Sequence, residues 1–211
     1  QRCHVYHMGS QVDYRLVGER MKHIYHVINA TDPAQTARLL NEQWNQLTEQ
    51  RAGESSEVAI GYGRVLKVHR ALKGIAWFDF AELCDNRAAL GVADYAKLCE
   101  VYHTLFLVNV PRMSPEHSLN EARRFILLID ECYDHKVKVI LSTQIEPEAL
   151  FPTSLPASAA GGSVTGEEEI FAFSRTLSRL HEMQTTEYLE HKHEPHPYKE
   201  KSNAHHKRHV K

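Results

Sequence analysis

Two apolar runs, TLFLVNV at 104–110 and VKVILST at 137–143, flank a segment whose apolar residues return with a helical period. The first run is stopped by Pro111, and the second is rich in β-branched residues. Both read as strands, the first nearly continuous and buried. Between them Ala122, Phe125, Ile126, Ile129, Cys132 and Tyr133 fall at i, i+3, i+4, i+7, i+10 and i+11, which is one face of a helix. Ser118, with Glu121 three residues on, predicts a capping box at its start. Strand, helix, strand across forty residues is a βαβ unit with a parallel pair, so the chain is of the α/β class.

The helix contains FILLIDE, an apolar run closed by Asp130 and Glu131. It imitates a Walker B strand, whose carboxylates hold Mg²⁺ and orient water. A nucleotide hydrolase also needs a phosphate cradle, G-x-x-x-x-G-K-[ST], because glycines let backbone N–H groups approach the phosphates while the lysine neutralises them. None of the ten glycines begins or completes that pattern. With the helical period, Asp130 and Glu131 lie mostly off the apolar face and read as solvated surface groups.

The remaining chain supports this class. Residues 4–15 read as a strand. Residues 33–52 read as a helix, with Asp32 as N-cap, Pro33 in its first position and Gly53 just past its end. Residues 57–81 alternate and carry paired turn signals, which predicts a small antiparallel segment with Val65, Trp77 and Phe80 in the core. A short helix, a break at Gly91 and a second helix from about Ala93 follow. Residues 152–166 are Pro, Ser, Ala and Gly and read as a loop; then a short strand at EIFAF leads into a last helix at 174–190.

A net charge of −2 argues against general nucleic-acid binding, and no run is long enough to span a bilayer. QRCHVYHMGS lacks an initiator Met and any signal pattern, and reads as the start of a fragment or a processed product. The cysteines at 3, 84, 99 and 132 form no C-x-x-C and read as reduced thiols, with Cys99 and Cys132 on apolar helix faces. Six of fifteen histidines follow position 190, in a stretch with six Lys or Arg and two Glu. Residues 191–211 are therefore expected to be a disordered His/Lys-rich tail. Metal binding by His191, His193 and His196 is the competing reading of that tail.

Several residues invite a functional reading. Arg123 and Arg124 start a helix after a buried strand, where loops line ligand clefts. Arg175 and Arg179 share one helix face, and Arg15 ends the first strand. Each could contact a phosphate; each could equally pair with a carboxylate, such as Arg179 with Glu182 or Arg123 with Asp94. Glu167, Glu168 and Glu169 read as solvated. Tyr95 and His103 read as packed and hydrogen-bonded. Ser174 and Ser178 have no His/Asp arrangement at a recognisable spacing.

Four stretches, in order and at this spacing, resemble the C-terminal half of the AFG1/ZapE family of P-loop, AAA+-like ATPases. They are DYR at 13–15, FDFAELCDNRAALGVADYAKL at 78–98, TLFLVNVPRM with EARRFILLIDECYDHKVKVILST across 104–143, and GEEEIFAFSRTLSRLHEMQTTEYL at 166–189. The resemblance covers nearly all of residues 1–190, and the last block is its most distinctive part. The family's Walker A, Walker B, sensor 1 and arginine-finger segments precede the DYR block. The resemblance implies the C-terminal part of a P-loop NTPase-type fold, with ATP and Mg²⁺ bound by the intact protein. It makes Arg123, Arg124, Arg175, Arg179 and Arg15 candidates for nucleotide sensing or interface contacts. Implied partners are the N-terminal ATPase half, further copies of the protein, and a protein such as FtsZ in bacteria or inner-membrane respiratory proteins in mitochondria. The implied location is the bacterial cytoplasm or the mitochondrial matrix side; the GEEEIFAF and EMQTTEYL wording, together with the insert at 152–165, leans towards mitochondrial members, and bacterial members are similar enough to leave both open. The alternative is a non-catalytic protein-interaction module using residues 57–81 or the last helix.

Overall fold

Alternation along one strand divides the core. In β5 (Thr104–Val110), Leu105 and Leu107 point into one apolar cluster, while Phe106 and Val108 point into another on the opposite face. The computed structural model describes residues 24–28, 32–152 and 167–195. The strand expected over 4–15, including Arg15, lies outside them, as does most of the loop expected over 152–166. The other elements are β1 (Tyr25–Val27), α1 (Pro33–Leu47), β2 (Glu54–Ala59), β3 (Val65–Leu72), β4 (Ile75–Asp79), α2 (Phe80–Cys84) and α3 (Val92–Val101), followed by α4 (Leu119–Asp134), β6 (Lys138–Thr143), α5 (Glu167–Met183) and α6 (Thr186–Glu190).

They form a six-stranded mixed sheet in the order β1-β6-β5-β4-β3-β2. β1, β6, β5 and β4 run parallel, and β3 and β2 extend the sheet as an antiparallel edge. This α/β architecture is consistent with a P-loop NTPase-type domain. One face is covered by α2 to α5, around Phe78, Leu107, Phe125, Leu128 and Phe173. The other is covered by α1, which buries Leu40 and Trp44 against Ile75, Phe106 and Ile140. Each such side chain contributes about 1.5–3 kcal/mol relative to exposure. The expected βαβ unit is β5-α4-β6.

Four expectations need correction. α1 has the expected Asp32 cap, whose side chain accepts from Gln35 N at 3.1 Å, but the helix stops at Leu47 rather than residue 52. Thr48 closes it by donating its hydroxyl to Trp44 O, and Glu49 and Gln50 then take left-handed φ values of 55° and 65°. Val65 is 54% exposed; Val68 and Ala71 turn inward instead, three residues apart, because the β2–β3 register shifts between them. Ser118 caps nothing with its side chain: its Oγ accepts from Ser114 N at 2.7 Å, and Glu121 reaches Asn86. EIFAF is helical, since α5 lays Phe173, Thr176 and Leu180 onto the core at helical spacing; α6 follows after a break at Gln184–Thr185.

The β3–β4 hairpin turns on Lys73 and Gly74, both at positive φ, which suits a two-residue turn. A Cβ on Gly74 would stand 2.6 Å from His103 Cδ2, so glycine is required there for space as well as conformation.

Candidate functional site

Asp79, Asn109 and Ser142 mark the C-terminal ends of the parallel strands β4, β5 and β6. In open parallel sheets, ligands bind in the crevice outside these ends. Asn109 interrupts the β5–β6 register with a left-handed φ of 62°. Its backbone N–H donates to Ser142 Oγ at 2.9 Å, and its Nδ2 donates to Asp79 Oδ2 at 2.6 Å. Asp79 also caps α2: Oδ1 accepts from Ala81 N at 3.0 Å, and Asp79 N donates to Glu82 Oε2 at 2.6 Å. Glu82 Oε1 lies 3.6 Å from His69 Nε2.

These groups border a cleft of about 430 Å³ between the sheet and α1, with an apolar wall of Ile28, Ala37, Leu40, Trp77 and Val108. Thr36 of α1 also lines it. Thr36 is only 6% exposed, and its hydroxyl has no partner among the described residues. Arg70 closes one side. Its guanidinium lies 4.1 Å from the Trp44 ring centroid and 4.7 Å from that of Trp77, and it donates to Ala52 O and Asn41 Oδ1. Burial pushes its pKa down. Trp77 stacks on Phe106 at 4.9 Å, so this wall is a rigid aromatic pile.

A triphosphate does not fit this cleft. Asp79 and Glu82 face it with negative charge, and Arg70 is already committed to its aromatic and carbonyl partners. The described residues hold no group of three or more His, Cys, Asp or Glu arranged to bind a metal ion.

The Arg candidates lie elsewhere, and none of Arg123, Arg124, Arg175 and Arg179 lines the cleft. Arg123 is exposed on α4. Arg124 reaches Cys84 O and Asn86 Oδ1 at 3.4 and 3.1 Å, where a cation suits the carbonyl end of α2. Arg175 pairs with Asp130 at 2.6 Å; Arg179 pairs with Asp130 and sits 3.8 Å from Asp134. Asp130 is thus the anchor between α4 and α5 rather than a solvated group. Glu182 accepts from Tyr133 O–H instead of pairing with Arg179, and the buried carboxylate of Asp94 is taken by Arg64 at 2.6 Å.

The start of the expected tail lies against the body. Lys138 Nζ donates to His191 O, His193 Nε2 lies 2.6 Å from Cys99 O, and Glu194 N donates to His135 O at 2.9 Å. His196 and the rest of the tail are outside the described residues. Tyr95 and His103 are packed and hydrogen-bonded as expected, to Leu83 O and to Lys73 O and Thr104 Oγ1.

Sequence reasoning missed Asp79, although its signal is visible. An apolar run closed by a carboxylate at the end of a parallel strand is the pattern FILLIDE imitates. IAWFD at 75–79 realises it.

No helix among the described residues is long and apolar enough to cross a membrane. No solved structure matches the chain. Among known proteins it is similar to an uncharacterized protein of Schizosaccharomyces pombe, 31% identical over 89% of this chain and 44% of that protein. It is 29% identical to lactation elevated protein 1 homolog B of Danio rerio, over 88% of this chain and 40% of that one. It is also 29% identical to the cell division protein ZapE of Escherichia coli, over 92% of this chain and 46% of that one. The chain thus spans less than half the length of each of these relatives. The family model for AFG1-like ATPases matches residues 1–192, which includes every strand and helix described above, and the chain belongs to that family.

Proposed function

We propose that this chain is the C-terminal portion of an ATPase that binds and hydrolyses ATP with Mg²⁺ when intact. The match of residues 1–192 to the AFG1-like ATPase model carries this reading. The phosphate cradle belongs to another part of the whole protein, and this portion contributes partner and subunit surfaces. Arg123 and Arg124 are the first candidates to approach nucleotide, because α4 begins at the C-terminal end of β5. Arg175, Arg179 and Arg15 remain candidates for interface contacts. The relative named as a cell division protein supports a bacterial role in division, with FtsZ as the partner to test. A mitochondrial role in handling inner-membrane respiratory proteins is the alternative setting.

The test is ATP hydrolysis by the intact protein. Arg123→Ala and Arg124→Ala should lower kcat with the fold retained. Hydrolysis indifferent to both removes the nucleotide role of these residues, and an intact protein that hydrolyses no ATP removes the reading altogether.

A second reading, a protein-interaction module within residues 57–81, is favoured by Tyr62. This residue is 97% exposed at the tip between β2 and β3 and is held at a φ of 59°. Strained, exposed aromatics on rigid turns are poised for contact with a partner. Capture of a protein partner that Tyr62→Asn abolishes would support it; equal capture by the variant would remove it.

A further inference from the structure

The cleft at the ends of β4, β5 and β6 has a chemistry that phosphate binding does not explain. Asp79 and Glu82 bring two carboxylates to it, while the Arg70 guanidinium that also lines it is taken up by Ala52 O, Asn41 Oδ1 and the Trp44 and Trp77 rings. Asp79 has no cationic partner among the described residues, and its Oδ2 is met only by the neutral amide of Asn109. A carboxylate can only accept, so Asn109 turns its Nδ2 to Asp79 and leaves its Oδ1 as a further acceptor. Glu82 adds a second carboxylate, bonded to Asp79 N and approached by the largely exposed His69. Opposite them, Thr36 is 6% exposed and its hydroxyl opens onto the cleft, with no hydrogen-bond partner among the described residues. A hydroxyl held at the wall of a cleft without a protein partner is free to bond a ligand. Between these polar ends runs the apolar wall of Leu40, Val108 and Trp77. The volume of about 430 Å³ suits a small ligand or one long side chain.

We propose that this cleft binds a guanidinium or ammonium head carried on an apolar stem. The head meets Asp79, Glu82 and Asn109 Oδ1, and the stem lies along Leu40, Val108 and Trp77. The Thr36 hydroxyl accepts from the head or from a donor on the stem. An anion is disfavoured by the two carboxylates, and a wholly apolar ligand would desolvate Asp79 and Thr36 without offering either a further donor. The same head and stem occur in a free alkylamine or alkylguanidine and in an arginine or lysine side chain of a polypeptide. This reading is independent of ATP hydrolysis, because the experiment reads binding alone.

The experiment is calorimetric titration of the full chain with butylguanidinium, N-acetylarginine amide and ATP, with amide and indole NMR shifts locating the site. Saturable one-to-one binding of butylguanidinium that shifts Thr36, the Trp77 indole and Asn109 is expected. Asp79→Asn keeps the helix cap, since asparagine caps as well as aspartate, yet should weaken binding about tenfold or more by removing the charge. Thr36→Val should weaken binding several-fold, and Thr36→Ser, which keeps the hydroxyl, should restore it, which a merely structural threonine would not do. Binding of N-acetylarginine amide as well assigns the site to a polypeptide side chain; binding of butylguanidinium alone assigns it to a free small cation. The proposal is overturned if neither guanidinium saturates, if Asp79→Asn binds equally well, or if ATP competes for the cleft.

Discussion

Arg64 Nη2 lies 2.6 Å from Asp94 Oδ2, joining the tip of the β2–β3 hairpin to the first turn of α3. The carboxylate is almost fully buried and also accepts from Gly61 N at 2.9 Å and Gly91 N at 3.0 Å. One side chain therefore fixes a turn, a helix start and an arginine together. Removing one partner of such a group leaves the others unmatched, which costs about 3–5 kcal/mol. Asp94→Ala should lose that much in urea unfolding. Arg64→Ala should lose less, because Gly61 and Gly91 still satisfy the carboxylate.

Lys138 gives a pH signature. It is 1% exposed, and burial, aided by Lys136, brings its pKa down to about 8. Between that value and about 10.4 the unfolded chain binds more protons at this site than the folded one, so its contribution to stability rises with pH across this window. Below it the buried charge is a constant cost. Lys138→Met should therefore be most favourable, relative to the parent, near neutral pH. That relative advantage should shrink by a few kcal/mol at most as pH rises to 10.5. Urea midpoints of both proteins from pH 7 to 10.5 provide the comparison; parallel curves would contradict the argument.

The three described cysteines should be inert in the native state. Cys99 Sγ and Cys132 Sγ are 3.7 Å apart, and Cys84 is equally buried. Burial raises the Cys84 and Cys99 thiols well above the ordinary range, and only the thiolate is a good nucleophile. Labelling of Cys84, Cys99 and Cys132 by a disulfide reagent, followed by mass spectrometry, should proceed only at the rate of unfolding.

Asp130 predicts a coupling between helices. It accepts from Arg175 and pairs with Arg179, whose guanidinium lies 4.8 Å from the Tyr133 ring centroid. The carboxylate is mostly buried while Arg175 is exposed, so the Arg179 pair should dominate. Arg179→Ala should cost roughly 1–3 kcal/mol, and Arg175→Ala less than about 1. A double-mutant cycle with Asp130→Asn measures each coupling directly.

The parts of this fold legible in the sequence are those whose partners are close along the chain. Thr104–Val110, Leu119–Asp134 and Lys138–Thr143 each carry their own period, and a βαβ unit joins neighbours. The site groups are not of that kind. Asp79 meets Asn109 thirty residues away and shares its cleft with Thr36 of α1. No local spacing announces that meeting. Ion pairs were equally hidden: Arg179 had Glu182 near at hand but turned to Asp130, because α5 packs on α4. At EIFAF, local strand preference lost to burial of Phe173 on one helical face.

Tyr62 separates stability from binding. With a φ of 59° it occupies a conformation that costs a non-glycine residue roughly 1–2 kcal/mol, and its ring is 97% exposed. The neighbouring backbone is held by Asp94 and Arg64, so the strain is imposed by the scaffold rather than compensated by the ring. Asparagine visits this region more readily than tyrosine. Tyr62→Asn should therefore keep or raise the urea midpoint, by up to about 1 kcal/mol, although it deletes a large aromatic side chain. A loss of more than about 1 kcal/mol would mean that the ring is held by contacts within the fold, and that the tip is not built to present it.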